Sequence, residues 1–152
     1  MKYVLDSHTH TIASGHAYST LHEMAKAREM YGIEVMHGAE VNIMDLNGSL
    51  DMKQELLEKM DVVVASMHTP CLKAGSRQEN THAFIEAMKN PWVNIAGHPD
   101  DSRYPLDYLA LVQAAKEFHV LLELNNNSLH PLGARKDPLP NDVVMLKYCM
   151  EY

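Results

Sequence analysis

Asp6-Ser7-His8-Thr9-His10 reads as the end of a first β-strand, where the period of two sets Asp6, His8 and His10 on one face. Two imidazoles aimed at a common point are the beginning of a metal site. Neutral imidazole and carboxylate bind zinc and its first-row neighbours well, and catalytic sites keep one position open for water. An H-x-H pair alone is weak evidence. It gains weight because three further ligand-type residues sit at comparable places. Glu40 lies in the run that reaches Val41, His68 follows Asp61–Ser66, and His98 follows Trp92–Gly97. Parallel α/β folds build their sites at the C-terminal ends of strands, so five nitrogen or carboxylate ligands would reach one rim from four strands.

The chain has ten histidines among 152 residues, and the others divide by position. His16, in Ser14-Gly15-His16-Ala17-Tyr18-Ser19, lies in the loop above the proposed site and joins the metal candidates. His22 and His82 fall on helical segments and are expected to face solvent. His119 stands near a helix C-terminus, where the dipole favours an imidazolium. His37 precedes Glu40 by three positions and should face away from it in a strand. His130 is left open.

Short β-branched apolar runs alternate with segments of helical period, which predicts an α/β fold with parallel strands. Strands are expected at Tyr3–His8, from Ile33 through Val35 and Met36 to Val41, at Asp61–Ser66, at Trp92–Gly97 and at Val120–Leu124. Thr20 and Glu23 form a T-x-x-E capping box for a first helix that Gly32 ends. Asp45–Gly48 suits a tight turn, and Met52, Leu56 and Met60 suggest a short helix. Asn80 is expected to cap a helix carrying Phe84, Ile85 and Met88. Leu106 to Val112 and Asn141 to Met150 mark two more helices. Asn125-Asn126-Asn127 either orients a ligand or holds a turn. Lys73, Arg77, Arg135 and Lys136 lie in segments that could meet phosphate, with solvation the default for such cations.

Together, Asp6-x-His8-x-His10, His16-Ala-Tyr-Ser, Gly38-Ala-Glu40-Val-Asn, the strand ending in His68 and Gly97-His98-Pro99 resemble the PHP family of metal-dependent phosphoesterases, most closely its YcdX-like branch. The resemblance implies a distorted (β/α)7 barrel with a cluster of three metals, usually zinc, at its C-terminal rim. It implies that His8 and His10 hold one metal, that Glu40 bridges it to a second held by His68 and His98, and that His16 belongs to a third. Asp6 would then orient an imidazole and fix its tautomer. Two family motifs are missing: an Asp-His-Gly strand end after the first helix and a late Ser-Asp-x-His. Arg28-Glu29-Met30 runs straight into Tyr31-Gly32-Ile33, and the absent strand-and-helix unit would be roughly 30 residues. The barrel is therefore expected to be incomplete in this chain, which is a piece of a longer chain, a truncated relative or a protein that completes its barrel with another subunit; the first is favoured because unpaired strand edges are avoided.

The resulting expectation is a phosphatase that cleaves small-molecule phosphomonoesters with a metal-activated hydroxide. Two or three zinc ions are expected, with manganese or iron as alternatives. The rival readings are a non-catalytic metal-binding relative and a hydrolase of phosphodiester or amide bonds at the same cluster.

Composition fits this class. With 46% apolar and 22% charged residues, one globular domain over residues 1–152 is expected. The net charge of −7 argues against nucleic-acid and anionic-membrane partners. An anionic substrate would be attracted by the metals themselves. No apolar run approaches the roughly 20 residues of a membrane helix, and no signal peptide is evident, which suggests the cytoplasm. Cys71 and Cys149 are read as reduced thiols. Homo-oligomerisation is left open.

Overall fold

The computed structural model describes residues 8–10, 20–130, 135 and 137–152. The chain divides into two compact units, Met1–Met36 and His37–Tyr152. In the first unit, helix α1 spans Leu21–Tyr31. Its start carries the capping box expected from sequence: the Glu23 backbone N–H donates to Thr20 Oγ1 at 3.1 Å, and the Thr20 N–H donates to Glu23 Oε2 at 2.7 Å. Gly32 follows with φ 64°, the left-handed geometry that stops a helix. The strand expected at Tyr3–His8 falls outside the described residues except at His8, which has no regular secondary structure.

The second unit is built on a four-stranded parallel sheet in the order β1-β2-β3-β4, with β1 at Gly38–Asn42, β2 at Val62–Ser66, β3 at Ile95–Ala96 and β4 at Leu121–Leu122. The strand expected from Ile33 begins only at Gly38. Ile33 and Met36 are exposed, and without a paired neighbour among the described residues their β propensity has nothing to act on. By contrast, Val63, Val64, Ala65 and Ser66 of β2 are all buried, as a continuous apolar run in a parallel sheet requires. The last two strands are shorter than their apolar runs and keep only two ladder residues each.

Helices connect the strands: α2 at Gln54–Leu57, α3 at Arg77–Met88, α4 at Tyr108–Phe118 and α5 at Pro138–Glu151. α3 packs on β2 and α4, and α4 packs on α5. Phe84, Met88, Leu111, Val112 and Met145 join Val41, Ile43, Val63 and Ala65 in one core. Fully burying one such side chain is worth roughly 1.5–3 kcal/mol. Ser76, rather than Asn80, caps α3, in a capping box with Glu79. Asn80 is fully buried instead, and its amide ties the Gly75 backbone to Pro105 O. The turn at Asp45–Gly48 forms as expected, with Asp45 Oδ1 accepting from the Asn47 and Ser49 N–H groups. No helix among the described residues is long and apolar enough to cross a membrane, and Cys71 and Cys149 are free thiols.

Candidate metal centre

All four parallel strands end toward the same rim. Glu40 lies at the middle of β1, His68 two residues beyond β2 and His98 two residues beyond β3. Glu40 pairs in register with Val64, and Val64 with Ile95, so the three ligand-bearing segments are adjacent. Their side chains meet: one ligand atom from each of Glu40, His68 and His98 lies within 4.8 Å of the others. His98 Nε2 is 3.0 Å from Glu40 Oε1, and His68 Nε2 is 3.5 Å from the same oxygen. The two imidazole centroids are 5.0 Å apart, with ring planes inclined at 59°. One carboxylate oxygen thus sits between two ring nitrogens, a donor set suited to zinc and its first-row neighbours.

The three side chains differ in access. His98 is 2% exposed, Glu40 18% and His68 32%. The centre is therefore closed behind His98 and opens on the His68 side.

His98 owes its place to two constraints. Its φ of 33° is unusual for a non-glycine residue, and its backbone N–H is held by Glu123 Oε2 at 2.7 Å. Glu123 follows β4 directly, and its other oxygen accepts from Asn125 Nδ2 at 3.2 Å. Gly97, just before His98, lies against β2: a Cβ there would come within 2.1 Å of Ser66 Oγ and 2.8 Å of Val64 Cγ1. Only glycine allows β3 to approach this closely. Sequence reasoning passed over Glu123, although it stands at the same rim as the ligands.

In the first unit, His8 and His10 are both half-buried, with ring centroids 4.9 Å apart and planes inclined at 31°. This is the pairing that H-x-H spacing predicts. Asp6 and His16 lie outside the described residues. His82 is exposed, 3.7 Å from Glu86, as expected of a helical surface residue. His119 caps α4 in the left-handed conformation. Asn125 caps a 3-10 helix at Asn126–Leu129, with its Oδ1 accepting from the Asn127 N–H, so the triple asparagine holds a turn. Arg77 donates to Leu106 O and lies 3.7 Å from Asp107, which gives it a structural role.

No family model matches the chain. A protein of Clostridium novyi named "Probable phosphatase" is 37% identical over the whole chain, which covers 75% of that relative. Proteins of the same name from Acetivibrio thermocellus and a Thermoanaerobacter species are 39% and 38% identical; 84% and 99% of the chain align, covering 67% and 75% of the relatives. The chain belongs to this phosphatase family. The alignment with the Clostridium novyi phosphatase runs over 186 positions although the chain has 152 residues. That phosphatase therefore carries some thirty residues inside the aligned span that have no counterpart here, about the size of one strand-and-helix unit.

Proposed function

We propose that the chain is a metal-dependent phosphatase that hydrolyses small-molecule phosphomonoesters. We read residues 1–152 as a single PHP-type domain of the YcdX-like branch, a distorted (β/α)7 barrel short of at least one strand-and-helix unit. The observation that carries the proposal is the convergence of Glu40, from the middle of β1, with His68 and His98, from just beyond the C-terminal ends of β2 and β3, in a chain whose relatives are named phosphatases. We assign zinc as the metal, with manganese or iron as alternatives. On the family resemblance, His8 and His10 would hold a neighbouring ion, with Glu40 as the bridge, His16 would serve a third, and Asp6 would orient an imidazole.

A divalent ion held by this donor set would lower the pKa of a coordinated water toward neutrality and offset phosphate charge during in-line displacement. The chain's own residues set the conditions for that chemistry. Glu40 presents one oxygen to both imidazoles and brings the negative charge that retains a cation. His98, buried and pinned through its backbone by Glu123, fixes the rear of the site. His68 borders the solvent side, so a phosphoryl group would approach past it.

The test is hydrolysis of p-nitrophenyl phosphate by protein stripped with chelator and then reloaded with zinc or manganese. Activity lost on stripping and restored by metal supports the proposal. Activity unaffected by stripping overturns its metal dependence, and no turnover in fully metallated protein overturns the phosphatase reading.

A further inference from the structure

We infer that Asp51 and Asn42 form a positioning relay that locks His68 in the tautomer protonated at Nδ1, with Nε2, on the side of Glu40, carrying no proton. This deepens the proposed metal site and rests on that reading for its consequence in binding, though not for the tautomer itself.

Asn42 lies two residues beyond Glu40 on β1, and therefore on the same face of the strand. It pairs in register with Ser66, two residues before His68, which brings the amide alongside the imidazole. Asn42 Oδ1 is 2.7 Å from His68 Nδ1. On its other side, Asn42 Nδ2 donates to Asp51 Oδ2 at 2.5 Å, and the Asn42 backbone N–H donates to Asp51 Oδ1 at 2.9 Å. Asp51 comes from the segment after the Asp45–Gly48 turn, and its own N–H donates to Asn42 O at 3.1 Å.

The direction of this chain follows from what each group can do. An ionised carboxylate only accepts, so the end of the Asn42 amide that faces Asp51 must be the NH2. The oxygen is then left facing His68. An amide oxygen only accepts, so Nδ1 of His68 must carry the proton. In the neutral ring the lone pair is then on Nε2, the nitrogen 3.5 Å from Glu40 Oε1. A metal ligand needs that lone pair, and the hydrogen bond at the opposite ring nitrogen decides where it sits. Asp51 thus acts on His68 through the amide between them, without touching the site.

The discriminating variant is Asp51→Asn, which can keep the contact to the Asn42 backbone N–H while presenting an NH2 to the Asn42 side chain. The Asn42 amide must then turn over and offer its own NH2 to His68, moving the ring proton to Nε2. Long-range nitrogen–proton correlation NMR of the metal-free protein reads the tautomer directly. The expected result is Nδ1–H in the wild type and Nε2–H in D51N, with zinc affinity, measured by competition with a chromophoric chelator, weakened about 10- to 100-fold. Circular dichroism and Tm check that the variant is folded. A wild-type His68 protonated at Nε2, or the same tautomer in both folded proteins, overturns the relay. The wild-type spectrum decides the question even where D51N fails to fold. A wild type with the expected tautomer that binds no zinc would support the relay and contradict the metal-site reading, so the two failures are distinguishable.

Discussion

Glu40 meets both His68 and His98 through a single oxygen, so it is the residue common to both contacts. Glu40→Gln keeps the volume and removes the charge. It should lower kcat/KM for p-nitrophenyl phosphate by at least about 100-fold and lower bound metal in parallel, as removing a ligand should cost no less than removing its hydrogen-bonding support. Near-normal turnover would exclude Glu40 as a ligand. A second residue-scale expectation concerns Asp142 of α5, 2% exposed and with neither side-chain oxygen hydrogen-bonded among the described residues. Burial, with the nearby Asp100 carboxylate adding to it, raises the Asp142 pKa to about 6. The folded state therefore holds a proton that the unfolded chain has released above its ordinary value of 3.8. That stabilisation is complete below about pH 4 and is lost as pH rises through about 6. Asp142→Asn should flatten this part of the Tm-against-pH curve between pH 4 and 7 and raise stability at pH 7 by on the order of 2 kcal/mol. An unchanged curve would show that Asp142 titrates normally.

At the scale of elements, the rim is made by close strand approach. Gly97→Ala would drive a methyl group into Ser66 and Val64. The strain of such overpacking is typically 1–3 kcal/mol. Because His98 is the next residue, the variant should lose metal affinity as well as thermal stability. Thermal loss alone, with zinc binding intact, would show that His98 is placed independently of the β2–β3 contact. The same rim explains what was legible beforehand. Parallel strands, the helices between them and the ends bearing His68 and His98 could be read because strands buried on both faces leave short continuous apolar runs, whereas helices leave longer segments of helical period. The α1 capping box could be read because Thr20 and Glu23 act locally. What could not be read depended on tertiary partners. Ile33 to Met36 looks like a strand but has no paired neighbour among the described residues, and Asn80 looks like a cap but closes the gap between Gly75 and Pro105. Asp51 and Glu123 reach the site through a turn and a backbone N–H, for which no spacing rule exists. Asn42 was within reach, since it shares the face of Glu40 at a distance of two residues.

For the whole molecule, a chain of net charge −7 that acts on phosphate esters must create its attraction for substrate locally. Two of the described arginines are engaged elsewhere: Arg77 with Leu106 and Asp107, and Arg103 with Asp101. A bound divalent ion would supply that attraction, which is what we propose for the Glu40–His68–His98 convergence. On the proposed PHP reading, a unit absent from this chain but carried by the Clostridium novyi relative inside the aligned span would change how many ions could be held. The three side chains proposed as ligands, Glu40, His68 and His98, are all present in this chain. The most direct test is elemental analysis of the purified full chain after gel filtration in metal-free buffer, beside the Glu40→Gln variant. The account predicts at least one zinc, manganese or iron ion per wild-type chain and a marked loss in the variant. Folded wild-type protein with essentially no bound metal, and none taken up on incubation with zinc, would contradict it.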